Sequence, residues 1–366
     1  ALTKLSMNTP YRPTTTDKEL GFVVAALGND ELTYEKKHEF NFGVDAGFFN
    51  NRLNVTFDVY QRRNFDEIAP TVTQLYGTAY ANVGSMKSWG EELSISSTNI
   101  KNQDFSWQTS LIYSHNRTEI TDLYNQGRVI DLVQGNGFAK QGYPARALFS
   151  IPFVGINEKG YPVCINEKGQ ATVGNLNFQE RDNTDYLIYE GSTDPVYNGS
   201  LGNTFNYKGF HLNVFLTYAF GNVVRLDPAF SAKYNDLTSM THDFKNRWMQ
   251  PGDENVTNVP GVVSRYEYEQ NSTLLATAYN AYNYTSVRTA KGDFIRLKEI
   301  SLAYDFPHRW FEKSPVNNIS LKLQATNLML LYADKKLNGQ DPEFMNAGGV
   351  ASPMPKQFTL TLKLGL

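Results

Sequence analysis

Strict alternation of apolar and polar residues is the dominant pattern of this chain. In the first clear segment every second position is apolar, and the positions between are polar or small. The apolar row of this segment is Phe40, Phe42, Val44, Ala46 and Phe48. Because successive residues of a β-strand point to opposite faces, this period predicts strands with one apolar face and one polar face.

The same alternation recurs along the chain and predicts nine strands of about 9 to 12 residues each. The predicted strands start near residues 36, 53, 88, 105, 201, 210, 294, 318 and 357. Between Ile295 and Tyr304 the apolar phase moves from odd to even positions. We interpret this shift as a β-bulge near Lys298 or Glu299.

The connections between the predicted strands alternate in length. Those after strands one, three, five and seven are short and lie around 50–52, 99–104, 208–209 and 306–317. Those after strands two, four, six and eight are long and span 65–87, 117–200, 220–293 and 329–356. Short turns on one rim and long loops on the other are typical of outer-membrane barrels. The sequence therefore predicts an all-β fold, a transmembrane antiparallel β-barrel.

Aromatic residues support this prediction, since they stand at both ends of several rows. Phe210 and Tyr218 close one such row and would lie at the two membrane interfaces. Nine is an odd number, however, and an open arc would leave two edges that lipid cannot satisfy with hydrogen bonds. We therefore expect further strands upstream, on a missing part of this polypeptide or on another chain.

The composition excludes several other classes of protein. Lys and Arg total 34 against 37 Asp and Glu, a net charge of −3, so no basic surface indicates a nucleic-acid partner. The single cysteine, Cys164, excludes an internal disulfide and a thiolate metal cluster. The five histidines are scattered and form no HExxH motif. We expect no catalytic residues, no metal site and no cofactor.

Several short motifs, taken in their order and spacing, resemble the C-terminal part of the SusC/RagA family of TonB-dependent outer-membrane transporters of Bacteroidetes. The resemblance runs from about Glu35 to Leu366. The segments that carry it are Tyr34-Glu35-Lys36-Lys37, Phe48-Phe49-Asn50-Asn51-Arg52-Leu53, Asn82-Val83-Gly84-Ser85-Met86, Phe105-Ser106-Trp107, Gly292-Asp293-Phe294-Ile295-Arg296-Leu297-Lys298-Glu299-Ile300-Ser301-Leu302, Asn327-Leu328, Gly339-Gln340-Asp341-Pro342-Glu343 and Pro353-Met354-Pro355.

The resemblance implies a 22-stranded barrel in the bacterial outer membrane, of which this chain supplies the last nine strands. Residues 1–34 would belong to an extracellular loop and residues 35–366 to the barrel. A plug domain and a segment that contacts the TonB-ExbB-ExbD complex would lie in the missing N-terminal region. The family typically pairs with a SusD-like surface lipoprotein as a lid and imports an oligomeric nutrient, usually a glycan and in some members an oligopeptide. The alternative function is a passive pore or a surface adhesin built on a similar barrel.

Aromatic and carboxylate side chains in the predicted long loops are the candidates for contact with substrate. They are Tyr76, Tyr80, Trp248, Tyr266, Tyr268, Tyr282, Tyr284, Asp341 and Glu343. An aromatic ring packs against the apolar face of a sugar while carboxylates and amides bind its hydroxyl groups. Alternatively, the aromatic residues pack within the loops or contact the lid protein. The carboxylates beside Pro342 would then stabilise a turn instead of contacting substrate.

Overall fold

A computed structural model describes residues 4–8, 21–26, 28–73, 77–235, 237, 239–312, 315–347 and 354–365. Its strands are β1 Lys4–Asn8, β2 Gly21–Ala26, β3 Lys36–Phe48, β4 Leu53–Thr73, β5 Gly77–Lys101, β6 Phe105–Leu123, β7 Ala147–Ser150, β8 Phe153–Ile156, β9 Pro162–Ile165, β10 Ala171–Thr172, β11 Ile188–Ser192, β12 Tyr197–Tyr207, β13 Phe210–Phe220, β14 Val223–Arg225, β15 Thr289–Lys291, β16 Phe294–Asp305, β17 Asn318–Ala333 and β18 Gln357–Gly365. Its α-helices are α1 Val129–Val133, α2 Arg265–Gln270 and α3 Ser272–Asn283. Short 3-10 helices span His242–Asn246, Asp253–Asn255, Ser286–Arg288, His308–Trp310, Lys335–Leu337 and Pro342–Ala347. Within the described residues, no helix is long and apolar enough to cross a membrane.

One nine-stranded sheet dominates the described part of the chain. Its order is β18-β17-β16-β13-β12-β6-β5-β4-β3, and every pair is antiparallel. Each strand therefore pairs with its neighbours along the sequence, as in an up-and-down meander. The predicted nine-strand meander is confirmed, and seven of the nine predicted starting residues match, the exceptions being β5 and β12. Within the predicted loop 1–34, β1 and β2 pair with each other as a separate hairpin.

Two local predictions about the backbone are also confirmed. The turn between β3 and β4 holds Asn50 and Asn51 at positive φ (56° and 61°), and the turn between β12 and β13 does the same with Lys208 and Gly209 (45° and 86°). The two-residue turn Lys208-Gly209 matches the twist of paired strands, whereas the β3–β4 connection has four residues, 49–52, and Phe49 is also at positive φ (54°). The bulge lies at Lys298, because Leu297 and Glu299 pair with consecutive residues of β13 while Lys298 is skipped.

The predicted long connection 65–87 is wrong, because most of it is strand. β4 continues to Thr73 and β5 begins at Gly77, which gives strands of 21 and 25 residues. The alternation that marked these strands breaks at Asp66, whose φ is 56°, where the register shifts between Asn64 and Glu67. A bulge at this point changes which residues share a face. The alternation of apolar and polar residues therefore does not continue past it, and the sequence pattern did not predict the rest of the strand.

The two faces of the sheet differ sharply in chemistry. Cross-strand pairing brings the apolar rows of successive strands onto one face, which we call the apolar face. For example, Leu212, Leu302, Leu323 and Leu360 lie side by side across β13, β16, β17 and β18. Leu323 and Leu360 remain 55% and 68% exposed. So large an exposed apolar surface requires a non-aqueous environment, and a lipid bilayer provides it.

Aromatic pairs border the apolar face at both ends. Near the short turns Trp107 stacks on Phe205 at 5.7 Å, and near the long connections Tyr113 lies 6.3 Å from Tyr197. Strand rise and tilt separate these two aromatic belts by roughly 15 to 20 Å along the membrane normal, somewhat less than the height of about 25 Å of the apolar band of an outer-membrane barrel. The belts therefore mark the two membrane interfaces.

The opposite face, which we call the polar face, carries polar and charged side chains. They are Asp58, Glu92, Gln108, His211, Lys322 and Gln324, all on one side by their cross-strand pairing. These groups are connected: His211 Nε2 lies 2.8 Å from Asp305 Oδ2, and Lys322 Nζ lies 3.9 Å from Glu299 Oε1. A polar face opposite a lipid-exposed face is the arrangement of a barrel with an aqueous or plugged interior.

Replacing Leu323 by lysine is expected to destabilise the folded barrel by about 2 kcal/mol, because the ammonium group would enter the lipid. The matched control is Gln324→Lys, one residue further along β17 and on the polar face, where little effect is expected. Urea titration of the full-length protein refolded into lipid vesicles measures both variants. Equal losses in the two variants would contradict the assignment of the faces.

Candidate functional site

The two longest connections fold together beyond the long-loop end of the sheet. They span residues 124–196 and 221–293, and we call this unit the loop cap. Strands β7 and β11, β8 to β10, and β14 and β15 form three small sheets in it. Backbone contacts between Ile151 and Thr285 and between Ser192 and Asn222 join the two connections. The cap is therefore a folded structure with its own packing.

Two hydrophobic clusters lie wholly within the cap, and a third joins Val224, Leu226 and Ala290 of the cap to Leu337 and Met345 of the last long connection. One joins α1 and β7 and includes Leu132, Phe149 and Ile151, and it reaches Ala281 of α3. The other packs Phe230 against Leu275 and Tyr282 of α3. Asn283 fixes this second cluster, because its side-chain amide accepts a hydrogen bond from the backbone N–H of Phe230 and donates one to its carbonyl.

Buried Arg225 connects three separate segments of the cap. Its guanidinium donates to the carbonyl oxygens of Val133 (3.2 Å), Thr285 (2.8 Å) and Phe149 (2.6 Å), and to Ser150 Oγ (3.0 Å). Removal from water lowers the pKa of Arg225 to about 9. The carbonyl dipoles stabilise the charge at this position, so Arg225 serves as the central cross-link of the cap.

A buried ion pair joins the sheet to the last long connection. Arg296 on the polar face of β16 donates to both carboxylate oxygens of Asp341, at 2.5 and 2.6 Å, and lies 3.3 Å from Glu343. The side chains of Arg296 and Asp341 are only 3% and 1% exposed. This contact joins two of the motifs that carry the family resemblance and holds the segment 334–347 against the polar face.

Contacts with Glu254 and Gly160 fix the position of the Trp248 side chain within the cap. Its indole N–H donates to Glu254 at 3.0 Å, and this hydrogen bond is the main reason that the pKa of Glu254 is lowered. The ring lies against Gly160, where a Cβ would stand only 2.5 Å from Trp248 Cε3, and Gly160 has φ +79°. Only glycine fits this approach, so the ring is a packing element with one polar edge.

Tyr161 and Tyr279 stabilise the loop next to Trp248 through hydrogen bonds from their hydroxyl groups. The hydroxyl group of Tyr161 donates to Glu267, which also caps α2 with Ser264. Burial, followed by this hydrogen bond, raises the pKa of Tyr161 to about 12. The hydroxyl group of Tyr279 donates to the carbonyl of Gly261. These phenols remain protonated at neutral pH and act as hydrogen-bond donors that position the loop 259–264.

A small cavity of about 200 Å³ opens in the cap beside this loop. Its apolar lining comes from Phe230, Met240 and Phe244, and Lys233 and Asn235 contribute polar groups. Tyr234 stacks on Phe244 with ring centroids 5.4 Å apart and an interplanar angle of 12°, and Tyr234 stays 40% exposed. An exposed aromatic face beside an ammonium and an amide can bind a ring or a short chain that carries hydroxyl, amide or carboxylate groups.

The predicted contact residues do not form one site. Tyr76 lies outside the described residues. Tyr80 is exposed on β5 and Tyr266 is exposed on α2, so both remain accessible, and the carboxylate of Glu343 is 39% exposed. Tyr268 packs partly against the Phe230 cluster, and Tyr284 packs partly against the Phe149 cluster.

Two of the predicted contact residues are buried in this structure. Tyr282 is 2% exposed, because it fills the interior between Phe153 and Phe230. Asp341 is 1% exposed, because it is the buried partner of Arg296. Both side chains stabilise the loops, and their contact with substrate stays a prediction.

Sequence reasoning missed Tyr234 and Phe244. They lie ten positions apart in a segment without periodicity, so no pattern indicates that they stack. The only sequence feature that could have indicated a contact residue here is the position of Tyr234 between Lys233 and Asn235. Among the described residues, no group of three or more His, Cys, Asp or Glu side chains is placed to hold a metal ion.

Sequence and structure comparisons identify the class of protein. No protein-family profile matches the chain. The chain is 26% identical to the TonB-dependent receptor P39 of Formosa agariphila over 91% of its own length and 35% of that protein. It is 27% identical to the TonB-dependent receptor SusC of Bacteroides thetaiotaomicron over 92% of its own length and 32% of that protein. The chain thus spans about a third of the length of these curated relatives.

Among solved structures, the RagAB peptide transporter has the same fold over 99% of this chain and 38% of that one, with a TM-score of 0.74 and 24% identity. The fold is that of a partial outer-membrane β-barrel. The chain is similar to the C-terminal part of SusC/RagA-like TonB-dependent transporters, and its location is the bacterial outer membrane. These relatives are named as receptors and transporters rather than as enzymes.

Proposed function

We propose that the protein imports an oligomeric nutrient across the outer membrane by a TonB-dependent mechanism and catalyses no reaction. The observation that carries the proposal is the nine-stranded sheet, with one lipid-exposed apolar face, one polar face and a folded cap at one end. Residues 35–366 would form the barrel wall and the loop cap, and residues 1–34 would form part of an extracellular loop. A sheet with two open edges needs further strands, so a 22-stranded barrel with a plug is the proposed complete form.

Two partners follow from this proposal. A SusD-like surface lipoprotein would cover the cap, and the TonB-ExbB-ExbD complex would act through the N-terminal region. The similarity to SusC and to RagAB supports both partners. Exposed Tyr80 and Tyr266 are proposed to contact either the substrate or the lid, since an exposed aromatic side chain suits both contacts.

The proposed substrate is a glycan, with an oligopeptide as the second candidate. The stacked Tyr234 face beside Lys233 and Asn235 supports a sugar ring with hydroxyl groups. The likeness to a structure named a peptide transporter supports the oligopeptide. Both candidates are flexible oligomers that a loop cavity would bind one unit at a time.

Uptake by intact cells tests the function. Cells that express the full-length protein are given fluorescent oligosaccharides and oligopeptides, with TonB present or deleted. We expect uptake of one class that stops without TonB. Uptake that continues without TonB would favour the alternative, a passive pore, and surface binding without uptake would favour an adhesin.

Replacing Tyr234 by alanine is expected to weaken substrate binding roughly fivefold, since it removes one aromatic contact worth about 1 kcal/mol. Isothermal titration of the purified full-length protein with the transported oligomer measures this change. The matched control is Tyr124→Ala, which changes an exposed tyrosine of the cap that directly follows β6 and lies outside the cavity lining. Unchanged affinity in the Tyr234 variant would exclude this cavity as a substrate contact.

A further inference from the structure

A second cavity, of about 410 Å³, lies where β5 and β6 meet the loop cap. The strands contribute Trp89, Arg117 and Glu119 to its lining, and the cap contributes Tyr189 and Asp194. Trp89 pairs directly with Arg117 across the two strands. By the alternation of β5 and β6, these strand residues share the apolar face with Leu93 and Leu111, so the cavity adjoins the surface that faces lipid.

The position of the cavity relative to the membrane follows from the aromatic belts. Tyr113 belongs to the belt near the long connections, and Arg117 follows it on the same strand and the same face. Strand rise and tilt place Arg117 roughly 10 Å beyond Tyr113 along the membrane normal. The long, flexible stem of arginine covers several ångströms, so the guanidinium reaches the polar headgroup layer above the apolar band.

Among the three charged residues that line the cavity, Arg117 alone has no ion-pair partner in the described part of the chain. Glu119 is paired with Lys87 at 2.9 Å, and Asp194 is paired with Arg146 at 2.7 Å. Arg117 is exposed and, within the described part of the chain, has no ion-pair or hydrogen-bond partner for its guanidinium. Burial raises the pKa of Tyr189 and the positive charge of Arg117 opposes this rise, which is consistent with a guanidinium close to the phenol.

We propose that this cavity binds the phosphate-bearing headgroup of an outer-leaflet lipid, with Arg117 as the anion ligand. A guanidinium donates two parallel hydrogen bonds to a phosphate group, a geometry that lysine cannot reproduce. Trp89 pairs with Arg117 across the two strands and lines the same cavity, so its indole ring can pack against a bound headgroup. The acyl chains of the bound lipid would lie along the adjoining apolar face. The proposal is independent of the transport function, since a passive barrel would carry the same site.

Native mass spectrometry of the full-length protein in a neutral detergent tests this site. The probes are phosphatidic acid, phosphatidylcholine and inorganic phosphate. We expect the protein to retain phosphatidic acid in preference to phosphatidylcholine. Arg117→Gln is expected to bind phosphatidic acid about tenfold less tightly, and Arg117→Lys, which keeps the charge without the paired donors, should fall between the two.

The matched control is Lys101→Gln, which removes one exposed positive charge from the other end of β5 and should leave binding unchanged. Heat-modified gel mobility confirms that every variant is folded. Three results would overturn the proposal: equal retention of phosphatidic acid by wild type and Arg117→Gln, an equal loss in Lys101→Gln, or displacement of the lipid by an equimolar amount of inorganic phosphate. The last result would identify a site for free phosphate.

Discussion

Replacing Arg225 by methionine is expected to destabilise the loop cap by about 3–5 kcal/mol, because it leaves buried carbonyl oxygens in three segments without their donor. Limited proteolysis of the full-length protein in detergent measures the effect, and new cleavage should appear in 124–196 and 221–293. The sheet should resist the protease, because Arg225 makes no hydrogen bond to its strands.

Arg146→Met is the matched control for this prediction. Arg146 also lies in the cap and also binds a carbonyl and a polar side chain, those of Asn136 and Asp194, but it is exposed. Exposed pairs contribute at most about 1 kcal/mol, so its proteolysis pattern should match that of the wild type. Similar cleavage in both variants would show that general charge loss, rather than the buried cross-link, controls the cap.

Asp341→Ala is the second substitution with a large expected effect. It leaves the guanidinium of Arg296 buried without its main partner, at an expected cost of about 3–5 kcal/mol to the folded segment 334–347. Hydrogen exchange of the full-length protein measures this loss, as faster exchange of amides within that segment. Glu343→Ala removes only the longer, half-exposed contact to Arg296 and should change exchange little.

A double variant separates an unpaired charge from lost packing. In Arg296→Met combined with Asp341→Leu, both ions are replaced by apolar groups of similar size, so most of the stability should return. If the double variant remains as unstable as Asp341→Ala, the segment depends on the hydrogen-bond geometry itself. If Asp341→Ala has no effect, the ion pair does not hold the segment.

The barrel wall could be predicted from the sequence because the residues that determine it lie close together along the chain. Lipid on one side and polar surroundings on the other impose a period of two, and each strand pairs with its sequence neighbour. The bulge at Lys298 left a visible phase shift in the same pattern. The strand extensions beyond Asp66 escaped prediction because they lie past the membrane interface, where neither face must be uniformly apolar.

The loop cap could not be predicted in the same way, since its contacts join residues far apart in the chain. Arg225 and Phe149 are 76 positions apart, and Arg296 and Asp341 are 45 apart. Nothing near Asp341 in the sequence distinguishes a buried ion-pair partner from an exposed carboxylate. For Tyr282, helical spacing on α3 would have favoured the interior, yet its place among the aromatic residues of a predicted long loop suggested a ligand contact.

The short turns and the two longest connections of the chain are expected to undergo different kinds of evolutionary change. Short turns such as Lys208-Gly209 set the register of the wall, where inserting one residue would exchange the lipid-facing and polar rows. The long connections start and end at neighbouring strand ends, and lengthening a loop costs little closure entropy. We therefore expect that segments 124–196 and 221–293 are exchanged together between homologous chains, as two matched halves of one cap, while the wall keeps its register.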